Sequence, residues 1–222
     1  MIVGQRKPLS EITEMIAPHR RVLLVGCGGC VTVCNAGGRK EVAVLASALK
    51  VAARRTGHEL EIEEYTLERQ CDPEYLEELR PIIDKFDAVL SMACGAGVQF
   101  LGERYLDKPV YPALNTTFIG VALGNGSWSE RCQACGNCLL GLTGGICPVS
   151  RCAKRLFNGP CGGSTQGHCE INPQVDCAWQ LVYDKLKAMG KLDDLEQFIP
   201  PKDWSTNRDG GPRIYTREDL AI

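Results

Sequence analysis

The sequence has few of the features that mark membrane, secreted or nucleic-acid-binding proteins. No apolar run approaches the roughly 18 residues that a membrane-spanning helix needs, so we expect no membrane span. The first residues lack the apolar segment of a signal peptide, which favours a cytoplasmic location. A formal net charge of -2 provides no basic face for nucleic acid. These absences predict an ordinary soluble protein.

Catalytic and nucleotide-binding motifs are missing as well. The chain has three histidines, His19, His58 and His168, and contains no serine elbow, P-loop or recognisable flavin or nicotinamide fingerprint. The glycine-rich turn at residues 26–30 could be a phosphate turn with incidental cysteines, but its glycines do not follow the G-x-G-x-x-G spacing. No residue is therefore assigned a catalytic role, and a non-catalytic subunit of an oxidoreductase complex is favoured over a stand-alone enzyme.

Cysteine is the residue that the sequence has in excess. The chain holds thirteen cysteines, and their odd number argues against a complete disulfide framework. In a reducing compartment such thiols serve metals or redox chemistry more often than disulfides. Eight of the thirteen are concentrated in one segment: Cys132, Cys135, Cys138, Cys147, Cys152, Cys161, Cys169 and Cys177.

The spacing in this segment indicates iron-sulfur clusters. Cys132, Cys135 and Cys138 follow one another at C-x2-C intervals, and Cys147 precedes a proline, as in a ferredoxin-like run with its fourth cysteine displaced. Eight thiolates are the number that two 4Fe-4S clusters require, and their pairing stays open because the cysteine before proline can serve the other cluster. Structural zinc is the alternative, in place of one cluster or as the only metal. His168 would be a ligand in the mixed case, although an exposed loop histidine is favoured.

The first half of the chain has the pattern of an α/β fold. Apolar runs alternate with amphipathic stretches, which predicts a flavodoxin-like, doubly wound parallel sheet with helices on both faces. The predicted strands are 21–26, 60–65, 88–92, 110–111 and 118–123, and the predicted helices are 8–17, 38–56, 72–86 and 95–105. We place domains at 1–126 (flavodoxin-like), 127–196 (cysteine-rich and ferredoxin-like) and 197–222 (extended tail). A helix starting at Asn172-Pro173, with Cys177 in its early turns, is predicted to close the second domain.

Five cysteines of the first half follow predicted strands. Because the carboxyl ends of parallel strands meet at one edge of a sheet, their thiols are expected to converge there. We predict a metal site, interpreted as a third 4Fe-4S cluster, at this edge. Its candidate ligands are Cys27, either Cys30 or Cys34, Cys71 and Cys94.

The cysteine-rich segment resembles a known family. The block Asn158-Gly-Pro-Cys161-Gly-Gly163, followed by His168-Cys169-Glu170, Pro173 and Cys177-Ala-Trp179, is similar to the cysteine-rich small subunit of methylenetetrahydrofolate reductase complexes of acetogenic bacteria and their relatives. The likeness is strongest from about residue 130 to 213. The resemblance implies an accessory subunit bound to a flavin-containing catalytic subunit, which reduces methylenetetrahydrofolate to methyltetrahydrofolate in the reductive acetyl-CoA (Wood-Ljungdahl) pathway of anaerobes.

Under this interpretation the chain relays electrons through its clusters from a donor, which could be a further subunit, to the flavin of its partner. Two alternatives remain open at this point. One is a zinc-stabilised subunit that docks onto the reductase and carries no electrons. The other is an electron-transfer subunit of another hydrogenase-like or heterodisulfide-type complex.

Overall fold

The computed structural model describes residues 1–124, 126–217 and 219. The chain divides into two compact units, Met1–Ser129 (unit 1) and Glu130–Ile222 (unit 2). The three-part division with a separate tail stays a prediction. No helix in the described residues is both long and apolar enough to cross a membrane.

Unit 1 is a mixed α/β structure with two sheets. Its strands are β1 (Ile2–Arg6), β2 (Arg21–Cys27), β3 (Glu61–Leu67), β4 (Ala88–Met92), β5 (Val110–Pro112), β6 (Leu114–Gly124) and β7 (Ser127–Cys132), the last of which ends in unit 2. One sheet is parallel, with strand order β3-β2-β4-β5. The other has the order β1-β6-β7, and β1 pairs with β6 in antiparallel orientation.

Helices cover the parallel sheet on both faces. They are α1 (Leu9–Ile16), α2 (Cys30–Val33), α3 (Arg39–Thr56), α4 (Pro73–Leu76) and α5 (Gly95–Arg104). Successive side chains of β2 point to opposite faces, as the period of a strand requires. Leu24 packs in one core cluster with Leu45 of α3, whereas Leu23 packs in another with Leu101 of α5. The prediction of helices on both faces of a parallel sheet is confirmed.

Two sequence predictions about unit 1 are wrong. The segment 118–123 is a strand as predicted, but it belongs to β6 in the separate sheet, where it pairs with the unpredicted strand β1, and it is not part of the parallel sheet. The predicted helix 72–86 consists of α4 and two 3-10 turns, Glu77–Leu79 and Ile83–Lys85. Pro81 lies between those turns, and proline cannot continue a helix because it lacks an N-H and clashes with the preceding turn.

Unit 2 has little regular structure. It contains α6 (Pro148–Arg151), α7 (Ala178–Ala188) and the 3-10 turns Leu140–Leu142, Leu192–Glu196 and Arg208–Gly210. Its core cluster has four buried members, Cys177, Trp179, Val182 and Leu186. The indole N-H of Trp179 donates to the Leu156 carbonyl at 3.0 Å.

The predicted start of the last helix is wrong by about five residues. Asn172 instead forms a turn in which its side-chain oxygen accepts a hydrogen bond from the Gln174 N-H at 3.0 Å. Such local side-chain bonds compete with helix formation. Cys177 has extended backbone angles and precedes α7 as its N-cap residue, so it does not lie within the early turns.

Candidate metal centre

Four cysteines of unit 1 lie after the carboxyl ends of the parallel strands. Cys27 is the last residue of β2, Cys30 begins α2, Cys71 lies in the loop after β3, and Cys94 is the N-cap residue of α5. Burial raises the pKa of the Cys71 thiol, and the charges of Cys94, Cys27 and Cys30 raise it further. The four thiols therefore lie close enough to interact electrostatically, and we call them the sheet-edge group.

A buried glutamine fixes the loop that carries Cys71. The Gln70 carboxamide is fully buried, and its nitrogen donates to the carbonyl oxygens of Val25 and Gly26, each at 2.9 Å. Its oxygen accepts a hydrogen bond from the Ser91 hydroxyl at 2.6 Å. Since these partners belong to β2 and β4, Gln70 ties the loop after β3 to the two central strands of the parallel sheet. The sequence analysis missed this residue.

Cys34 does not belong to the sheet-edge group. Its sulfur is buried, accepts a hydrogen bond from the Gly4 N-H at 3.4 Å and lies 3.6 Å from the Val31 carbonyl oxygen. The side chain is therefore held against β1. Of the two alternatives that the sequence left open, Cys30 is the one whose charge acts on the Cys71 thiol, while Cys34 contacts a different part of unit 1.

Four cysteines of unit 2 line one narrow cavity, and we call them the cavity group: Cys152, Cys161, Cys169 and Cys177. Two backbone hydrogen bonds hold the segments of Cys169 and Cys177 together. The Cys177 N-H donates to the Gly167 carbonyl at 2.7 Å, and the Cys169 N-H donates to the Val175 carbonyl at 2.8 Å. The sequence analysis named these four cysteines but could not group them, because their spacing matches no single motif.

The surroundings of Cys161 favour its thiolate. The Gly163 N-H donates to the Cys161 sulfur at 3.4 Å and, together with the charge of Lys154, lowers the pKa of that thiol. Lys154 also forms an ion pair with Glu170, whose carboxylate lies 3.6 Å from the sulfur. A side chain at position 163 would collide with Glu170. A residue other than glycine at position 163 would therefore require the Glu170 side chain to move away from Cys161.

One loop of unit 2 carries three further thiols, those of Cys132, Cys135 and Cys138. The Cys132 sulfur accepts a hydrogen bond from the Ala134 N-H at 3.3 Å, and the Cys135 thiol lies 3.7 Å from the Asn137 carbonyl oxygen. Cys147 is the N-cap residue of α6, and its charge acts on the guanidinium of Arg151, whose pKa is lowered mainly by burial. That Cys147 joins Cys132, Cys135 and Cys138 on one metal group stays a prediction.

His168 is an exposed histidine beside Cys169. Its ring nitrogen Nδ1 lies 3.9 Å from a carboxylate oxygen of Asp176, and its backbone pairs with Thr165 and Asp176. The expectation of an exposed histidine is confirmed, and its nearest charged partner is a carboxylate.

The fit of a metal group to these sites depends on the donor atoms. Within residues 1–124, 126–217 and 219, no three His, Cys, Asp or Glu side chains stand in an arrangement that could hold a metal ion directly. The lining of one cavity in unit 2, however, includes four cysteines. Four sulfur ligands are the set that both zinc and iron-sulfur clusters use. The four cysteines of this cavity are therefore of the residue type that either group uses.

A family model described as methylene-tetrahydrofolate reductase C terminal matches residues 111–205. This segment is similar to methylenetetrahydrofolate reductase proteins. The match includes all eight cysteines from Cys132 to Cys177 and excludes the sheet-edge group. It supports the relation to methylenetetrahydrofolate reductase that the sequence analysis predicted. No curated protein and no solved structure gave a significant match.

Proposed function

We propose that this chain is the accessory electron-transfer subunit of a cytoplasmic methylenetetrahydrofolate reductase complex of the Wood-Ljungdahl pathway in an anaerobe. It relays electrons through 4Fe-4S clusters to the flavin of the catalytic subunit. The observation that carries this proposal is the cavity group, four thiols around one cavity inside the segment that matches the reductase family model. The reaction that we propose is taken from the description of the family model. The proposed metal binding is inferred from the four cysteine sulfurs.

The residues of unit 2 prepare its thiols for an anionic metal group. Ligating cysteines must be deprotonated, and the Gly163 N-H and Lys154 favour the thiolate of Cys161. Cys177 stands at the N-terminus of the eleven-residue helix α7, where the helix dipole favours negative charge. We assign one 4Fe-4S cluster to the cavity group and a second to Cys132, Cys135, Cys138 and Cys147.

Unit 1 is proposed to be flavodoxin-like, with a third cluster at the sheet-edge group. Taken in chain order, the parallel strands are arranged 2-1-3-4, which matches the first part of the flavodoxin order. Ligands of such sheets bind beyond the carboxyl ends of the strands. Cys27, Cys30, Cys71 and Cys94 lie there.

The chemistry of the reaction indicates which groups belong to this chain and which belong to a partner. Reduction of a methylene group needs a hydride, whereas a 4Fe-4S cluster passes single electrons and a flavin can accept them one at a time and deliver a pair. We therefore assign the flavin and the folate site to the catalytic partner. The present chain binds that partner and a donor, which could be a further subunit.

The donor set also supports a second candidate, a zinc-stabilised docking subunit. Four cysteines around one cavity are equally the ligands of a closed structural zinc site. Such a site would stabilise unit 2 without transferring electrons.

Metal analysis after anaerobic purification separates the two candidates. We expect iron, acid-labile sulfide and a brown chromophore in the wild type. The Cys161→Ser variant should lose the iron of one cluster, because a serine at this position removes one of four sulfurs. It should also fail to support turnover of the flavoprotein partner with the physiological reductant, while turnover with an artificial dye continues.

Cys34→Ser is the matched control, since Cys34 is a buried cysteine outside the proposed cluster sites. It should keep the full iron content. A wild type that carries zinc and no iron would select the docking subunit. Unchanged iron in Cys161→Ser would contradict the assignment of the cavity group.

A further inference from the structure

The end of the chain folds back over the loop that carries three of the candidate ligands. We call residues 199–213 the strap. The Thr206 hydroxyl donates to the Cys135 carbonyl at 3.0 Å, and the Arg213 guanidinium donates to the Ala134 carbonyl at 3.1 Å. At its other end, the Asn158 side chain forms two hydrogen bonds with the backbone of Ile199, at 2.9 and 2.7 Å.

The loop is shaped to receive the strap. Gly136 has a φ of 81°, and a Cβ atom at this position would lie 2.3 Å from the Thr206 carbonyl oxygen. Only glycine tolerates both this backbone conformation and this approach. The Cys132–Cys138 loop and the strap are therefore fitted to each other.

Lys202 is the unusual member of the strap. It is 7% exposed, although lysine is rarely buried without a partner. Its ammonium donates to the backbone carbonyl oxygens of Cys135, at 3.4 Å, and Asp203, at 3.3 Å, and lies 5.3 Å from the centre of the Trp204 ring. A positive charge is thus held beside the backbone of the middle cysteine of the loop, where two carbonyl dipoles and the neighbouring Asp203 carboxylate act on it.

We propose that Lys202 is a positioning residue that holds the Cys132–Cys138 loop and supplies a fixed positive charge to the metal group bound there, an inference that rests on the proposed function. Thiolates that bind a metal make the loop negative. A buried cation beside them offsets this charge, and it makes the addition of an electron to a cluster more favourable.

The competing explanation is that the lysine stem only packs against Trp204 while the charge is incidental. Lys202→Met separates the two, because methionine keeps an unbranched apolar stem and removes the charge. Lys202→Arg keeps the charge. Lys191→Met is the matched control, since Lys191 is an exposed lysine of unit 2.

The test is a redox titration followed by electron paramagnetic resonance of the anaerobically purified protein. A unit charge on the order of 10 Å from a cluster, at an effective dielectric constant near 20, changes the redox equilibrium by about tenfold. We expect the midpoint potential of one cluster to fall by about 59 mV in Lys202→Met, which is that tenfold for one electron. Lys202→Arg should restore it, and Lys191→Met should leave it unchanged.

Hydrogen exchange gives a second measurement that does not need iron. The amides of residues 132–138 should exchange faster in Lys202→Met than in the wild type or Lys202→Arg. Normal iron with unchanged potential and unchanged exchange in Lys202→Met would overturn the inference and leave the proposed function intact. A wild type without iron would overturn the proposed function. If the wild type contains no iron, the exchange of the amides of residues 132–138 still tests the positioning role. Unchanged exchange in Lys202→Met would overturn that role, and faster exchange would support it.

Discussion

The two groups of cysteines that the structure brings together are built in opposite ways. The sheet-edge group stands at the ends of strands and helices whose positions are fixed by a large buried core, including Leu24, Leu45 and Leu90. The cavity group stands mostly on irregular loops around a core cluster of four buried residues. A small core contributes little stability by itself. The first site is therefore organised by the fold, whereas we infer that the second organises the fold around its metal.

We expect the largest effect from metal removal, which should destabilise unit 2 much more than unit 1. Structural metal sites contribute roughly 10 to 16 kcal/mol in small zinc domains, which exceeds the stability that the core of unit 2 can supply. We expect the amides of α7 to lose protection from hydrogen exchange after chelation under reducing conditions. The amides of β2 should keep theirs.

The same mass-spectrometric experiment contains its own control, because both peptides come from one chain. Protection of α7 that survives complete metal loss would show that unit 2 folds unaided. Equal loss of amide protection in β2 and α7 would show that both units depend on metal to the same degree.

The variant Gln70→Ala tests whether the fold of unit 1 holds the loop that carries Cys71. The variant leaves the Ser91 hydroxyl and the carbonyls of Val25 and Gly26 without their buried partner. We expect a loss of about 1 to 3 kcal/mol in the free energy of unfolding of unit 1, measured by hydrogen exchange of β2 in urea. The metal content of unit 2 should not change.

Gln99→Ala is the control for this measurement, since Gln99 is exposed on α5. Its free energy of unfolding should remain near that of the wild type. A Gln70→Ala variant that is as stable as this control would show that the loop carrying Cys71 is held by other contacts.

The smallest effect concerns the opposite edge of the parallel sheet. The Asp87 carboxylate accepts hydrogen bonds from the backbone N-H groups of Arg21, at 2.8 Å, and Arg20, at 3.0 Å, and these bonds lower the pKa of Asp87. A lowered pKa means that the stabilisation is present above the unfolded-state pKa and is lost as pH falls through the folded-state pKa. Asp87→Asn should therefore be less stable than the wild type at pH 7.

This difference should begin to decline as the pH falls to about 4, near the unfolded-state pKa, and it should vanish only below the lowered folded-state pKa, where the wild-type carboxyl also becomes neutral. Urea unfolding of unit 1 across pH, followed by exchange of β2 amides, measures it. Glu103→Gln, at an exposed position of α5, is the control. A difference between Asp87→Asn and the wild type that is constant with pH would contradict the hydrogen-bond explanation.

The sequence predicted well those features that have a local signal. The apolar run at 21–26 indicated β2, and the amphipathic pattern at 38–56 indicated α3, which ends at Gly57 with a φ of 72°. The prediction failed where local and long-range preferences differ. β6 has an ordinary strand pattern, but its partner is β1, more than a hundred residues away, and no local signal specifies that pairing.

The same distinction applies to the candidate sites. The C-x2-C spacing predicts that Cys132, Cys135 and Cys138 are candidate ligands on one loop, since neighbours in sequence are also neighbours in space. The sequence could not choose between Cys30 and Cys34, because that choice depends on which way a single turn faces. It could not find Gln70 or Lys202, since each acts through backbone carbonyls of distant segments.

The sequence by itself determined which chemical groups this protein can use: thirteen thiols, few histidines, a family resemblance that the match at residues 111–205 supports, and cysteines at or after the ends of parallel strands. Only the tertiary structure decided which cysteines share a cavity, since Cys152, Cys161, Cys169 and Cys177 line one cavity although their spacing matches no single motif. The physical reason is that residue types fix what an atom can bind, whereas the packing of the whole chain fixes which atoms come within reach of one another.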